Sequence, residues 1–541
     1  MSKTVILAIN AKYVHSSLSV WVLAEGVSRY ARKRQEVKIV EATINQCNND
    51  IADKVIAHMP DIVSVSTYIW SAGKLPELLK LLRERLPEAV FVLGGPEASH
   101  NAEFWLDQGA DFVLRGEGER SLPALLDALD INADIGSIPG LCRKAHINPA
   151  VEPPEEYIDP YSDAYFSALG GRIAYIETSR GCPFQCAFCL SAGSAVRFFP
   201  LDAVKEKLYR LSKSDTQTIK LVDRTFNCNA ERAYELFEYI ISLDTSCCFH
   251  FEVAADLFDE RTLLLLCAAP PGRIQLEAGL QSFFEPALKA SLRQTDIEKA
   301  ESNIRTLISA GNIHIHLDLI AGLPYETLPD FQNSFDRAYA LGAHTLQLGF
   351  LKLLHGSALR AQAESLGILY SQKPPYEFES SPWLSMDDIA TLKQAEDSLQ
   401  HTNNKGRFLS ALRYVLSASG LRPFAFYRAL GEAAPNHGMP LCDYARQLYD
   451  CCVRLPGVDA DELKDYMTCD WLAMVKGENM PPFLRTVLKR QKQVAAAAEK
   501  QLGHKLRRNE TAILRSGKGV FVDSEARNPV TGLYKLCFVE L

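Results

Sequence analysis

The stretch ETSRGCPFQCAFCLSAG, residues 177–193, contains three cysteines, Cys182, Cys186 and Cys189, in the spacing C-x-x-x-C-x-x-C. Because these thiols lie close together in sequence, they can close on one metal centre with little loss of loop entropy. Thiolates are soft ligands that select soft metals or iron–sulfur clusters. A cubane cluster normally takes four cysteines, so three would leave one iron open to a substrate. The alternatives are a zinc site or a chance group of buried cysteines, but zinc would need a fourth Cys or His, and none lies close in sequence.

The cysteine motif resembles that of the radical S-adenosylmethionine (SAM) superfamily. Phe188 stands where that family places an aromatic residue, and residues 172–179 read as the first strand of a barrel that delivers the cysteines at its carboxyl end. The resemblance implies a [4Fe–4S] cluster on Cys182, Cys186 and Cys189, with SAM bound to the open iron. One electron from an external donor, such as a flavodoxin or ferredoxin, would cleave SAM to a 5′-deoxyadenosyl radical that removes a substrate hydrogen.

Composition indicates a large globular protein. The chain has 541 residues, of which 47% are hydrophobic, enough for about three or four domains with substantial cores. The formal net charge of −8 argues against binding of nucleic acid through overall charge, although a local basic patch is compatible with it. The chain has 14 cysteines, of which three form the motif and the others are scattered, and this usage indicates a reducing compartment. The first residues read as a buried strand, and no apolar run reaches the ~18 residues of a membrane helix, so we expect a cytoplasmic protein without a membrane segment.

Residues 1–148 show strands alternating with helices. Apolar runs predict strands at 5–9, 37–40, 61–66, 89–93 and 112–114, and helical spacing marks 18–33 and 74–85. This alternation predicts an α/β domain with a doubly wound, parallel, Rossmann-type sheet. Ligands of such sheets bind beyond the carboxyl ends of the strands. The segments at those ends are 10–15, 67–70, 94–97 and 116–118.

This first domain resembles the cobalamin-binding domain that precedes the barrel in one branch of radical SAM enzymes, through the motifs GGP (94–96) and RGEG (115–118). Glycines there let the backbone approach a bulky planar ligand. The resemblance implies cobalamin contacts from Asn10, Tyr13, Thr67, Tyr68, Gly94, Gly95, Pro96, Gly116 and Glu117. The motif D-x-H-x-x-G is absent, which leaves the lower face of the cobalt to other residues, with Thr67, Tyr68 and Trp70 as candidates. The alternative is a flavodoxin-like scaffold without a ligand, and His15 alone fits a structural hydrogen bond.

A proline-rich linker at 149–168 leads into a predicted barrel at 169–360. Strands are predicted at 173–176, 218–222, 248–252, 273–277, 314–320 and 345–349, with helices between them, which gives the six βα units of a partial (β/α)6 barrel. Reactive groups of such barrels lie at the carboxyl ends of the strands. There the family resemblance implies SAM contacts from Phe188, Asp223, Thr225, Glu252, Glu277, Gln281, Asp318 and Gly322. Each acid among them could instead be a helix cap or a surface charge.

The last third, residues 361–541, is predicted to be mainly helical with terminal strands after residue 511. Cys442, Cys451, Cys452 and Cys469 fit buried free thiols better than a second cluster, because their spacing matches no tight loop. A basic run lies between residues 485 and 518. Its members are Arg485, Lys489, Arg490, Lys492, Lys500, Lys505, Arg507, Arg508, Arg515 and Lys518. Such a run is commonly a solvated helix face, and it is also compatible with an anionic substrate or RNA.

The leading functional hypothesis is methyl transfer to an unactivated carbon, since a cobalamin domain at the barrel mouth would bring a methyl donor near the radical. A radical rearrangement, cyclisation or oxidation without methyl transfer is a second hypothesis. Methylthio transfer to tRNA is a third, weakened by the missing second cluster motif. A redox sensor built on the cluster is the non-enzyme alternative. The sequence names no catalytic residue and no substrate, and we expect the last third to close the barrel and select the substrate.

Overall fold

The structure, a computed structural model, describes residues 2–131, 133–150, 157–433, 438–485 and 491–540. The chain forms two compact units. The first comprises Met1–Glu252, Ser291–Arg293 and Leu351–Glu379, and the second comprises Val253–Ala290, Gln294–Phe350 and Ser380–Leu541. These units cross the domain limits expected from sequence. The limit expected after residue 360, in particular, falls inside the segment Leu351–Glu379, which packs within the first unit.

The N-terminal part of the first unit is a doubly wound α/β domain, as predicted. Its elements are β1 (Lys3–Asn10), α1 (Leu18–Tyr30), β2 (Glu36–Thr43), α2 (Asn48–Ile56), β3 (Ile62–Ser66), α3 (Ile69–Ala72), α4 (Leu75–Arg85), β4 (Val90–Gly94), α5 (Pro96–His100), α6 (Ala102–Asp107), β5 (Phe112–Leu114), α7 (Gly118–Asp130) and β6 (Leu141–Cys142). The sheet has the order β2-β1-β3-β4-β5-β6. All strands are parallel except β6, which runs antiparallel to β5 and was not predicted.

Both faces of this sheet are covered, which explains why β1 is a continuous apolar run rather than an alternating one. Val5, Leu7 and Ile9 point into one core, together with residues of α2 and α4. Ile6 and Ala8 point into the opposite core, together with residues of α1 and α7. The carboxyl ends of the strands are thereby held rigidly at one edge of the sheet.

The elements of the central part are α8 (Asp163–Leu169), β7 (Ala174–Ile176), β8 (Ser179–Cys182), β9 (Ser194–Phe198), α9 (Leu201–Ser212), β10 (Thr218–Leu221), α10 (Ala230–Ser242), β11 (Cys248–Val253), α11 (Glu260–Cys267), β12 (Ile274–Gln281), α12 (Glu285–Ala290), α13 (Ile297–Ala310), β13 (His314–Ala321), α14 (Leu328–Tyr339), β14 (Thr345–Phe350), α15 (Ala358–Gln362), β15 (Leu369–Tyr370) and β16 (Phe378–Ser380). Six strands of this part, β7 and β10 to β14, agree with those predicted for the (β/α)6 pattern, and the strands β8, β9, β15 and β16 add to them.

Within each unit these strands pair in parallel, with one shift of register between β12 and β13 at Gly279 and Gln281. In the first unit β10 pairs with both β7 and β11. In the second unit β13 pairs with both β12 and β14, and polar side chains alternate with buried apolar ones along β12 and β13. The antiparallel hairpin of β8 and β9, which brackets the cysteines, was not anticipated.

The C-terminal part of the second unit is helical and ends in strands, as predicted. It contains α16 (Met386–His401), α17 (Leu409–Ser419), α18 (Pro423–Ala433), α19 (Leu441–Cys452), α20 (Ala460–Met474), α21 (Gln491–Leu502), β17 (Thr511–Ile513), β18 (Gly519–Arg527) and β19 (Tyr534–Val539). The last three strands form an antiparallel sheet covered by α21. The stretch predicted as helical is interrupted between α16 and α17, where Gly406 and Phe408 have positive φ. Among the described residues, no helix is long and apolar enough to cross a membrane.

Candidate functional site

The three cysteines lie in the first unit, on the loop that joins β8 to β9. Cys182 and Cys186 are buried, and Cys189 is partly exposed. Gly181 has φ +105°, and a Cβ there would lie 2.2 Å from the carbonyl oxygen of Ala195, so only glycine allows the strands to meet this closely beside Cys182. The tight hairpin therefore fixes where the first thiol emerges.

Distant segments of the first unit hold the middle of this loop. The Ala187 N–H donates to the carbonyl oxygen of Ser291 at 2.8 Å, and the Leu359 N–H donates to the carbonyl oxygen of Ala187 at 2.8 Å. Phe188 follows directly and is partly exposed. Hydrogen bonds thus connect the loop to Ser291–Arg293 and Leu351–Glu379, the two later segments of the chain that belong to the first unit.

Hydrogen-bond donors face the sulfur atoms of the loop. The Ser191 N–H lies 3.4 Å from Cys189 Sγ, and an Arg293 guanidinium nitrogen lies 3.6 Å from Cys186 Sγ. Donors of this kind stabilise thiolates. A single zinc ion would bring its sulfurs within about 4 Å of one another, given Zn–S bonds of about 2.3 Å. Among the described residues, no three cysteines bring their sulfurs within 4.8 Å of one another.

Asp223, a predicted SAM contact after β10, is instead a buried support of the cysteine loop. It is 1% exposed, and it accepts hydrogen bonds from the Thr178 N–H at 3.1 Å, from Thr178 Oγ1 at 2.7 Å and from Ser179 Oγ at 2.5 Å. Burial raises the pKa of this carboxyl to about 6, against the lowering effect of these donors. The structure therefore favours a positioning role for Asp223. Thr225, two residues on, lies closer to the thiols, with Oγ1 3.7 Å from Cys182 Sγ.

A charged network joins the cysteine hairpin to the N-terminal sheet. Arg180 donates to Glu177 at 2.7 Å, to Glu117 at 2.5 Å and to Glu119 at 2.8 Å. Arg197 also donates to Glu117. Glu117 was predicted to contact cobalamin, but both of its oxygens accept hydrogen bonds from these arginines, while burial raises its pKa. The structure therefore assigns Glu117 to the junction between the glycine turn and the cysteine hairpin.

The predicted cobalamin turns meet at the carboxyl ends of β3, β4 and β5. Gly95 has φ +100°, and a Cβ on it would lie 2.7 Å from the carbonyl oxygen of Thr67. Thr67 is fully buried, and its hydroxyl donates to the carbonyl oxygen of Gly94 at 2.5 Å. Gly116 has φ +81°, and its N–H donates to Ser99 Oγ at 3.1 Å. Thr67 therefore supports the glycine turn through its hydrogen bond to Gly94, and its side chain is not exposed at the surface.

Aromatic side chains at the same edge are exposed. Tyr13 is 80% exposed and Trp70 is 45% exposed. Tyr68 stacks on Trp70 with ring centroids 4.3 Å apart and an interplanar angle of 7°, while Trp70 Nε1 donates to the carbonyl oxygen of Ile9. An exposed, flat and anchored aromatic surface of this kind fits a large planar ligand.

Asn10, also predicted to contact cobalamin, makes side-chain hydrogen bonds to other residues of the protein. Its amide donates to Glu41 at 2.8 Å and to the carbonyl oxygen of His15 at 3.1 Å. His15 Nδ1 lies 2.6 Å from the Tyr175 hydroxyl, which agrees with the structural hydrogen bond expected for this histidine.

In the second unit, Glu277 and Asp318 point to the same side of β12 and β13. Their carboxylate oxygens and a ring nitrogen of His316 all lie within 4.8 Å of one another. His316 had not been singled out from the sequence, although its position two residues before Asp318 places both on one face of β13. Glu252, in the first unit, pairs with Lys220 at 3.4 Å and is partly exposed.

Gln281 and Gly322 lie at the carboxyl ends of β12 and β13, where SAM contacts were predicted. Gln281 has φ +70°, and its Oε1 atom is buried without a hydrogen-bond partner among the described residues. An acceptor that is buried and unsatisfied costs stability, so a ligand hydroxyl or amide at this place would be favourable. Gly322 has φ +99°, which allows the sharp turn after β13.

Glu326, four residues after Gly322, is a buried acid that the sequence did not reveal. It is fully buried, and it accepts hydrogen bonds from Ser282 Oγ at 2.5 Å and from Ser334 Oγ at 3.2 Å. Burial raises the pKa of this carboxyl from 4.5 to about 7. Glu326 therefore ties the end of β12 to α14 behind the turn.

Because the folded-state pKa of Glu326 is raised, its protonated form stabilises the fold, and that contribution is lost as pH rises through about 7. The Glu326→Gln variant keeps the volume without the charge. We expect the stability of the wild type relative to this variant to fall by on the order of 1 kcal/mol between about pH 6 and pH 8.5. Urea unfolding at both pH values measures this difference. The exposed Glu285→Gln variant is the control and should show no such change; equal pH dependence of both variants would contradict the prediction.

Cys442, Cys451, Cys452 and Cys469 form no disulfide among the described residues. Cys452 is buried, and burial raises the pKa of Cys469 to about 12. The basic run is partly neutralised: Arg515 pairs with Asp461 at 3.3 Å, and Lys518 pairs with Glu540 at 3.1 Å. Lys489 and Arg490 lie outside the described residues.

Comparison with protein families assigns the three regions. Residues 4–126 match the model of the B12 binding domain, residues 176–338 match that of the radical SAM superfamily, and residues 364–515 match that of a protein of unknown function, DUF4080. The chain therefore combines a region that matches the B12 binding domain with one that matches the radical SAM superfamily. A third region, on the C-terminal side of these two in the sequence, matches DUF4080.

Curated relatives match parts of the chain. The hopanoid C-3 methylase of Methylococcus capsulatus is 29% identical over 39% of this chain and 43% of its own length. The cobalamin-dependent radical SAM methyltransferase TokK of Streptomyces tokunonensis is 24% identical over 54% of this chain and 47% of its own length. The anaerobic magnesium-protoporphyrin IX monomethyl ester cyclase of Rubrivivax gelatinosus is 26% identical over 56% of this chain and 58% of its own length. The chain thus spans about half the length of the curated relatives it matches.

Two solved structures share the fold. The radical SAM methyltransferase TsrM from Kitasatospora setae, with cobalamin and a [4Fe–4S] cluster bound, gives a TM-score of 0.57 at 19% identity and covers 70% of this chain and 79% of its own. The cobalamin-dependent radical SAM enzyme OxsB, with aqua-cobalamin and SAM bound, gives a TM-score of 0.61 at 14% identity and covers 94% of this chain and 82% of its own. At these identities the likeness concerns the fold.

Proposed function

We propose that this protein is a cobalamin-dependent radical SAM enzyme that methylates an unactivated carbon of its substrate. The observation that supports this most is that one compact unit holds both a three-thiol loop and a glycine turn with exposed aromatic rings, in a chain that matches the B12-binding and radical SAM families. The named methyltransferases among its relatives support the reaction type.

Cys182, Cys186 and Cys189 would hold the cluster, since their loop is fixed at both ends and donors face two of the sulfurs. When bound, the cluster supplies the electron that cleaves SAM, and cobalamin supplies the methyl group that is transferred. The protein's part is to fix these groups and exclude water. Asp223 and Arg180 position the strand that delivers Cys182, and Thr225 lies beside its sulfur.

The corrinoid would lie on the edge formed by Gly94, Gly95, Pro96 and Gly116, with Tyr13 and Tyr68 as contacts. The fit rests on the exposed aromatic surface and on turns that only glycine allows. Tyr68 and Trp70 would cover the lower face as an apolar surface, because the indole N–H anchors Trp70, whose ring stacks on Tyr68 and remains 45% exposed.

The family resemblance proposes SAM contacts from Glu277, Gln281, Asp318 and Gly322 and, separately, from Phe188, Thr225 and Glu252. Glu277 and Asp318 offer carboxylate oxygens and Gln281 offers a buried amide oxygen, and such acceptors suit the hydroxyl and ammonium donors of SAM. These assignments remain predictions for each residue.

The anionic substrate, the RNA partner and the electron donor are proposals that need their own tests. The pairing of Arg515 and Lys518 with acids lowers the positive charge available to an anion. Radical cyclisation without methyl transfer is the second candidate reaction, because a cyclase is also among the relatives. Methylthio transfer to tRNA and redox sensing lack such support.

Corrinoid binding tests the first half of this proposal. Gly95→Ala would place a Cβ 2.7 Å from the Thr67 carbonyl oxygen and displace the turn, so we expect the affinity for hydroxocobalamin to fall at least about tenfold. Gly109→Ala is the matched control, because Gly109 also has a positive φ of +105° but a Cβ there meets no atom within 4 Å. Binding is measured by the absorbance of corrinoid that co-elutes in gel filtration. Equal binding by both variants would contradict the predicted site, and a wild type without corrinoid would favour the empty scaffold.

A further inference from the structure

We propose that Tyr376, from the DUF4080 region, is a positioning residue for corrinoid binding, because its hydroxyl holds the buried Glu97 and with it the glycine turn. This inference rests on the proposed binding of cobalamin. Tyr376 lies 279 residues after Glu97, yet both belong to the first unit. The region of unknown function thus contributes directly to the support of the B12-binding domain.

The short helix α5 links the two glycine turns. It begins at Pro96, directly after Gly95, and the Ser99 N–H donates to the carbonyl oxygen of Gly95 at 2.9 Å. The Ser99 hydroxyl in turn accepts from the Gly116 N–H at 3.1 Å. A shift of α5 would therefore move both turns that are proposed to receive the corrinoid.

Glu97 is the residue through which α5 is held. It is 4% exposed, and its Oε1 accepts a hydrogen bond of 2.6 Å from the Tyr376 hydroxyl. Its N–H donates to the carbonyl oxygen of Thr67 at 3.3 Å, so the same residue contacts the strand end behind the turn. A buried carboxyl that loses a donor is strongly disfavoured, and α5 would have to move to restore solvation.

Tyr376 is itself rigidly placed. It is 3% exposed and has φ +58°, a backbone conformation that is unfavourable for a bulky residue and persists only where the surroundings impose it. Its carbonyl oxygen accepts from the Leu353 N–H at 2.9 Å. The Arg360 guanidinium lies 4.9 Å from the ring centroid, and the His355 ring packs edge-on at 4.8 Å.

A second contact reinforces the same connection. Asn101, just after α5, lies 3.2 Å from the ring nitrogen Nε2 of His355. Two residues of the returning segment Leu351–Glu379 therefore contact α5 and its following turn. The hydroxyl of Tyr376 is the contact that can be removed with the smallest change in volume.

The test is the affinity of the full-length, cluster-loaded protein for hydroxocobalamin, measured by absorbance titration. We expect Tyr376→Phe to weaken binding at least about tenfold, with an unchanged iron content. Glu97→Gln keeps an acceptor for the tyrosine hydroxyl and should bind within about twofold of the wild type. Tyr370→Phe is the control, because Arg360 also packs on that ring, at 5.0 Å, while Tyr370 does not contact Glu97.

The outcomes separate this inference from the proposed function. If the wild type binds corrinoid and Tyr376→Phe binds it equally well, the positioning role is wrong although the function stands. If the wild type binds none, the proposed cobalamin dependence fails. Should Tyr376→Phe not fold, the double variant Glu97→Gln/Tyr376→Phe replaces it in the test, because it also removes the buried charge. We expect the same loss of corrinoid affinity from the double variant. Wild-type affinity would again overturn the inference.

Discussion

Replacing Cys182, Cys186 and Cys189 together by alanine should reduce the iron content from about four atoms per chain to none and remove the broad visible absorbance of the cluster. The three thiols are the only protein ligands proposed for the cluster, and their loop is held by the hairpin of β8 and β9. Iron analysis and absorbance spectra of anaerobically purified protein measure the effect.

The matched control is a triple alanine variant of Cys442, Cys451 and Cys469, which are free thiols of the helical region. It removes the same number of thiols and should keep the full iron content. Retention of about four irons in the first variant, or equal loss in both, would reject the assignment of the cluster to this loop.

Replacing Arg180 by methionine should have the second largest effect. Arg180 is the shared partner of Glu117, Glu119 and Glu177, so its loss leaves three neighbouring carboxylates with Arg197, which pairs with Glu117, as the remaining cation of this network. The side chain is 27% exposed, and we therefore expect a loss of about 2–4 kcal/mol, somewhat below the cost of breaking a fully buried pair. Because Arg180 lies two residues before Cys182, the iron content should fall as well.

Thermal or urea unfolding together with iron analysis measures both effects. Arg85→Met is the control. Within the part of the chain that the structure describes, Arg85 forms an ion pair only with the exposed Asp53, so this variant should change stability by less than about 1 kcal/mol. An Arg180→Met protein as stable as this control would show that the network does not hold the hairpin.

Local patterns in the sequence sufficed for the parallel strands and for the spacing of the three thiols, but not for β6 or for the hairpin of β8 and β9. β1 and β3 are continuous apolar runs because both faces of their sheet are buried, whereas β13 alternates because only one of its faces is buried. Both patterns are visible in the local sequence. The cysteine spacing is likewise local, and the positive φ of Gly95 follows from its position in a tight turn. Features of this kind can be predicted from residues that are neighbours in the sequence.

Contacts between distant segments could not be read in this way. Arg293 lies 107 residues after Cys186, and Tyr376 lies much farther from Glu97. The sequence also could not distinguish an acid that faces a ligand from one that supports a loop, and both Asp223 and Glu117 turned out to have protein partners. Such assignments depend on tertiary packing that no local pattern records.

The substrate-selecting role expected for the last third remains a proposal, and truncation is a poor test of it. Ending the chain near residue 356 would remove Leu359, whose N–H holds the cysteine loop, and Tyr376. It would also remove α18, where the Phe424 N–H donates to Asp336 of α14 at 2.7 Å. Point variants on exposed faces of α19 and α20 keep these supports and suit the question better.

The most direct test of a cobalamin-dependent radical SAM enzyme is the cleavage of SAM by the full-length protein. Anaerobic protein loaded with cluster and hydroxocobalamin is mixed with SAM and a low-potential reductant, and 5′-deoxyadenosine is quantified by liquid chromatography and mass spectrometry. We predict that the wild type forms 5′-deoxyadenosine over time and that the triple alanine variant of Cys182, Cys186 and Cys189 forms none. No 5′-deoxyadenosine from a wild type with a full, reduced cluster, or equal amounts from both proteins, would contradict the proposed function.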